Sequence, residues 1–149
     1  MRFRSGNDGA KIIRGIANAL IDRLESVLFV GMSDVVNRMQ GNFGTNRDHY
    51  MKSLMRPDLL ILDDLGAERN TSFGKERVFD VADKRLLTGK PMIVTTNIPL
   101  SVMKQAADLD DRRIFDRILE VCVPIMFDGD SSRKSTAADN LKTTARLIG

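Results

Sequence analysis

The chain predicts an α/β fold, a parallel sheet flanked by helices, and three observations carry that expectation. Leu59-Leu60-Ile61-Leu62 is apolar at four consecutive positions, the habit of a strand covered on both faces. Met92-Ile93-Val94-Thr95-Thr96 is a second such run. Between them Val78, Phe79, Val81, Ala82 and Leu86 share one helical face, so strand and helix alternate as right-handed parallel crossovers require.

Each element has a local reason. Ile12, Ile13, Ile16, Ala17, Leu20, Ile21 and Leu24 recur at three- and four-residue spacing, which predicts an amphipathic helix from about Lys11 to Leu24. Val27 to Val30 is a short strand. Ser33-Asp34 caps a helix carrying Val35, Val36 and Met39, and Gly41 to Asn46 reads as a loop before a short helical segment from Tyr50 to Met55. Thr71-Ser72 caps the helix of Val78, and Gly89-Lys90-Pro91 stops it before the Met92 strand. Pro99 to Ala107 and Asp110 to Glu120 follow as helices, and Val121 to Phe127 as a last apolar strand. From Asp130 onward Ser, Lys, Thr, Asp and Asn dominate, which predicts a mobile or loosely helical tail. The expected organisation is therefore one core over residues 1–130 and a polar tail over residues 131–149, with no internal repeat.

Composition narrows the function classes. A length of 149 residues suits one ordinary domain, and no apolar run approaches the roughly 18 residues of a membrane span. Met1-Arg2-Phe3-Arg4-Ser5-Gly6 is no secretory leader, so a cytoplasmic protein away from membranes is expected. Cys122 has no cysteine to pair with and sits among Val121, Val123 and Pro124, as a buried structural thiol does. His49 has no second histidine, which argues against a transition-metal site. The eight methionines read as core filling. Net charge is +3, permitting nucleic-acid contact without a dense basic stripe. With no Trp and one Tyr there is little material for stacking bases, so any DNA contact would be mainly to phosphates.

The chemistry concentrates at strand ends, where ligands of parallel sheets bind. Asp63 and Asp64 close the Leu59 strand. In a nucleotide hydrolase the first such carboxylate holds Mg²⁺ and the next orients or deprotonates water; otherwise they form an Asp-rich turn. Thr95-Thr96-Asn97 closes the next strand, and its amide could face the same phosphate or simply make a turn. Arg113 and Arg117 lie four apart on one helical face, either as an exposed edge paired with Asp110 or Asp111 or as a source of an arginine finger.

Taken in order, these residues resemble the DnaC/IstB-like branch of the AAA+ ATPases, the helicase loaders and transposition helpers of bacteria and phages. The resemblance runs from about Ile16 to Lys134. It rests on Ile16 to Leu20, Val27 to Val30, Leu62-Asp63-Asp64-Leu65-Gly66-Ala67-Glu68, Gly89-Lys90-Pro91 with Thr95-Thr96-Asn97, Asp116-Arg117, and Gly129-Asp130-Ser131-Ser132-Arg133. It implies a three-layer P-loop NTPase core with ATP and Mg²⁺ as cofactors. Asp63 would hold the metal, Asp64 would be the catalytic carboxylate and Asn97 the first sensor. Arg117 would be a finger reaching the adjacent protomer of a homo-oligomer, and Arg133 a second sensor. Glu68 and Arg85 match family positions too, Arg85 with the alternative of a cation at a helix end.

The phosphate loop departs from the family. Gly-x-x-x-x-Gly-Lys-Ser/Thr is reduced to Ser5-Gly6-Asn7-Asp8-Gly9-Ala10-Lys11-Ile12. The ungapped register puts Gly9 at the lysine and Ala10 at the hydroxyl; a two-residue shift restores Lys11 and leaves Ile12 for the hydroxyl. Gly6, Gly9 and Lys11 are the residues left to bind phosphate, and Asp8 would oppose it by about 1 kcal/mol or more. Only five residues precede Gly6, so the first strand of the sheet is expected to be missing. The resemblance implies an ATP-dependent loader that places a replicative helicase on single-stranded DNA. The alternatives are an inactive adaptor or gene fragment that binds helicase or DNA, and a transposition helper of the IstB type.

Overall fold

The computed structural model describes residues 8–41, 45–66 and 71–127. The chain divides into two compact units, Met1–Leu24 with Ile125–Gly149, and Glu25–Pro124. In the first, α1 (Asp8–Asp22) is the amphipathic helix, and it begins before Lys11. Its end is a turn in which the N–H groups of Arg23 and Leu24 donate to Leu20 and Ile21 carbonyls, both at 3.0 Å. Leu24 then leaves the helix at φ 63°.

The second unit runs β1 (Val27–Gly31), α2 (Met32–Gly41), α3 (Thr45–Met55), β2 (Leu59–Leu65), α4 (Ser72–Thr88), β3 (Met92–Thr96), α5 (Leu100–Lys104) and α6 (Leu109–Val121). The three strands are parallel in the order β1-β2-β3, with Val27 opposite Leu59 and Leu60 opposite Met92. Central β2 is buried from Leu59 to Leu62 and again at Leu65, which is why its sequence is continuously apolar. The core adds Met32, Val35, Val36 and Met39 from α2, Val78, Val81 and Ala82 from α4, and Ile114, Phe115 and Ile118 from α6.

Turn chemistry sets the ends of α4 as the sequence predicts. Thr71 Oγ1 accepts from the Gly74 N–H at 3.1 Å, and Gly89, at φ 65°, donates its N–H to the Leu86 carbonyl. Elsewhere the boundaries differ. Helix α2 follows β1 at once, so Ser33 and Asp34 lie inside its first turn rather than capping it. Helix α3 starts at Thr45, five residues before the predicted segment, because its first turn is polar and leaves no apolar period. Helix α5 is only Leu100–Lys104, and Asp108 caps α6.

The expected strand from Val121 to Phe127 does not form. Helix α6 takes Val121, Pro124 has no N–H for a ladder, and Val123, Ile125, Met126 and Phe127 stay exposed. Cys122 is half-buried rather than fully enclosed; its thiol meets the Met92 carbonyl at 3.7 Å, and desolvation pushes its pKa up. The predicted tail from Asp130 lies outside the described residues.

Arg85 organises the N-terminal edge of the sheet. Only 1% exposed, it donates from Nε and Nη2 to Pro91 O, from Nη1 to Met55 O and from Nη2 to Asp58 O, at 2.8 to 3.2 Å. One guanidinium thereby joins the end of α3 to the segments entering β2 and β3. Its surroundings lower its pKa by desolvation. Among the described residues no helix is long and apolar enough to cross a membrane.

Candidate nucleotide site

The C-terminal edge of β2 and β3 gathers the predicted acids and amide. Leu62 faces Val94 and Leu65 faces Thr96, so Asp63 and Asp64 together oppose Thr95 alone, and β2 carries one extra residue. Asp64 absorbs the extra length by adopting φ 59°, a left-handed conformation open to Asp at a cost on the order of 1 kcal/mol.

Thr95 holds this bulge. Its hydroxyl donates to Asp63 Oδ1 at 2.6 Å and accepts the Asp64 N–H at 2.8 Å. One side chain thus fixes the carboxylate of the first acid and the backbone of the second. Asn97 Nδ2 then donates to Asp64 Oδ1 at 3.3 Å, bringing the predicted sensor onto the predicted catalytic acid. Thr96 Oγ1 donates to Leu65 O at 2.8 Å and accepts the Ile98 N–H at 3.0 Å, tying the two strand exits together below the acids. Asp63 is half-buried, whereas Asp64 and Asn97 are exposed.

Gly66 closes the bulge at φ 99°, and a Cβ there would stand 2.7 Å from Ile98 Cδ1. The conformation reserves the position for glycine, and a Cβ would also have to displace the tip of the Ile98 side chain. Beside it opens a cavity of about 550 Å³ whose walls include Leu65, Lys75, Ile98 and Phe115. Lys75 crosses to Asp108 and Asp111 of the α6 cap at 3.0 and 2.9 Å, which raises the lysine pKa.

The other predicted residues belong to other elements or lie beyond the described residues. Gly9 and Lys11 are helical within α1, in the other compact unit. Gly6, Glu68 and Arg133 lie outside the described residues. Arg117 pairs with Asp83 at 2.7 Å and Glu120 at 2.8 Å, and both it and Arg113 stand over the Phe79 ring. Of the carboxylates suggested as partners for this pair, Asp111 pairs with Lys75 instead.

The donor chemistry suits Mg²⁺. Asp63 and Asp64 offer hard oxygens at a strand end, and one or two carboxylates with water and phosphate complete a magnesium shell. Among the described residues no larger group of three or more His, Cys, Asp or Glu surrounds them, so an all-protein cage is not what the site presents.

A parallel sheet with adjacent acids and an amide at its carboxyl edge is the arrangement in which layered α/β proteins place a nucleotide ligand. The chain belongs to the IstB-like ATP binding protein family, whose pattern matches residues 9–140. It is 27% identical over 134 residues to the replicative helicase loader DnaC of Escherichia coli K12, covering 87% of this chain and 54% of the loader. The chain thus spans about half the length of that relative. Among solved structures it is similar in fold to DnaI, with TM-score 0.67 at 22% identity, covering 83% of this chain and 68% of that one. It is also similar to AMPPCP-bound DnaA of Aquifex aeolicus, with TM-score 0.65 at 17% identity, covering 93% of this chain and 42% of that one. The likeness to both is one of fold, a parallel sheet flanked by helices.

Proposed function

We propose that this chain binds Mg²⁺-ATP at the carboxyl edge of its sheet and hydrolyses it as a homo-oligomer that loads a replicative helicase onto single-stranded DNA. The observation that carries the reading is the Thr95-held bulge, which turns Asp63 and Asp64 toward one edge with Asn97 against the second acid. Asp63 would hold Mg²⁺, which supplies charge neutralisation for the phosphates. Asp64 takes the proton of the attacking water, and Asn97 orients that water through its amide. Lys11, with Gly6 and Gly9, meets the phosphates. Arg117 exchanges its Asp83 contact for a neighbouring protomer's γ-phosphate, and Arg133 is the second sensor that the family resemblance implies.

A second reading has its own observation. In neither register does the loop supply the Ser/Thr hydroxyl, since Ala10 or Ile12 stands there. That favours an adaptor that keeps the fold and its partners without turnover. The transposition-helper version shares every residue named and differs only in the partner.

Calorimetric titration of Mg²⁺-ATP into this chain, Asp63→Ala and Asp64→Asn separates these readings. Binding that is lost in Asp63→Ala but kept in Asp64→Asn, with turnover in the latter down about 100-fold or more, is expected. Absence of binding to the folded parent sinks the ATPase reading and leaves the adaptor.

A further inference from the structure

On α3 and α4, cations fall into two groups. Lys75 is paired with Asp108 and Asp111, Arg77 with Glu76 and Asp80, and Arg85 with carbonyls. Arg47 donates to Met39 O and stands over Phe73. Lys52 and Lys84 remain, and with Arg56, just past α3, they have no carboxylate partner among the described residues. These three exposed cations line the same cleft, a hollow of about 440 Å³ completed by Asp48, Met51 and Met55.

We infer that this cleft is a contact for the phosphodiester backbone of a nucleic acid, a surface separate from the Asp63 edge. The inference rests on the reading above only in taking DNA as a partner. Unpaired cations gathered on one cleft raise the local positive potential, and phosphate neutralisation with counterion release is the interaction they suit. A terminal phosphate would call for a cradle of backbone N–H groups, but beside Arg56 the exposed backbone is a helix C-terminus. Its carbonyls are already taken, Met55 O by Arg85 and Arg56 O by Lys90. Flexible cations without a cradle match a backbone that is read for charge alone. No aromatic ring lines the cleft, so base identity would matter little.

Asp48 makes the inference testable in both directions, because it is the one anionic side chain on the cleft. Fluorescence anisotropy with labelled oligo(dT) of about 20 nucleotides, at low salt and without nucleotide, compares the parent with Lys52→Glu/Lys84→Glu, Arg56→Glu and Asp48→Asn. The charge reversals are expected to weaken binding about tenfold or more, and Asp48→Asn to tighten it about twofold. Neutralising all three cations to Gln should lower the slope of log affinity against log salt by about 2. Circular dichroism melts confirm that each variant is folded.

Parent binding with reversals that change nothing overturns the cleft and leaves the loader reading standing. No binding by the parent overturns both the cleft and the DNA part of that reading. Displacement of the oligonucleotide by poly-glutamate at equal charge, lost in the same reversals, overturns it in favour of an acidic protein partner. Loss of Mg²⁺-ATP binding in Asp63→Ala with oligo(dT) binding unchanged separates the two sites.

Discussion

At the N-terminal edge of the sheet Arg85 is buried and every nitrogen it presents meets a carbonyl, while at the carboxyl edge Asp64, on a left-handed backbone, and Asn97 stay exposed. Both edges are polar interruptions of one apolar sheet. The first uses its hydrogen bonds to join segments that are 27 and 30 residues apart in sequence from Arg85. The second uses Thr95 to hold two acids in place yet leaves their outer oxygens toward solvent. Satisfied, buried polarity holds a fold together; strained, open polarity is what a ligand can complete.

If that contrast is right, Arg85 is the most damaging position to change. Arg85→Met takes the side-chain donor from the carbonyls of Met55, Asp58 and Pro91, of which Pro91 O keeps the Leu60 N–H at 3.4 Å, and empties a buried position, so a loss of about 3 kcal/mol is expected. Arg85→Lys should recover little, since a single ammonium cannot reach three carbonyls in a fork. Urea titration reads this as a lower midpoint at unchanged slope. A loss below about 1 kcal/mol would mean that the edge is held by packing alone.

The carboxyl edge should respond differently. Thr95→Val removes one donor and one acceptor from a half-buried position and is expected to cost about 1–2 kcal/mol, with Thr95→Ser restoring most of it. Its larger consequence should be at the acids. Under the proposed function, nucleotide turnover falls further in Thr95→Val than binding does, because the bulge no longer fixes Asp64. Equal turnover in Val and Ser variants would show that the hydroxyl does not position the acids.

The sequence made the central strand, the α4 caps and the adjacency of Asp63, Asp64 and Asn97 legible, because each follows from a local pattern: an apolar run, a Thr and a Gly at helix ends, polar residues at strand exits. Thr95 was read as part of a motif, but its double hydrogen bond arises only from a register shift between strands, which no single segment encodes. Arg85 reads locally as a family match or a helix-end cation and no more, because its partners are supplied by α3 and by the entries to β2 and β3. The failed Val121 strand shows the converse error. An apolar run predicts burial, but ladder pairing also needs a neighbour and donors, and Pro124 supplies none.

The mildest test of the comparison uses acid. Asp58, beside the Arg85 cluster, accepts from Ser26 Oγ at 2.6 Å and Ser26 N–H at 2.9 Å, with Lys90 at 3.7 Å, and these hold its pKa down to about 2. An ordinary Asp titrates near about 3.9 when unfolded. The folded value is the lower one, so this contribution is fully present above about pH 4, shrinks as pH falls, and is gone below about pH 2. The stability advantage of the parent over Asp58→Asn, followed by urea unfolding from neutral to strong acid, should therefore be flat above that window and collapse within it. Ser26→Ala removes the leading cause of the shift and should flatten the same step. Asp58 is half-exposed, so the effect is smaller than either substitution above. Parallel acid limbs in the parent and Asp58→Asn would assign the acid sensitivity of the fold to other carboxylates.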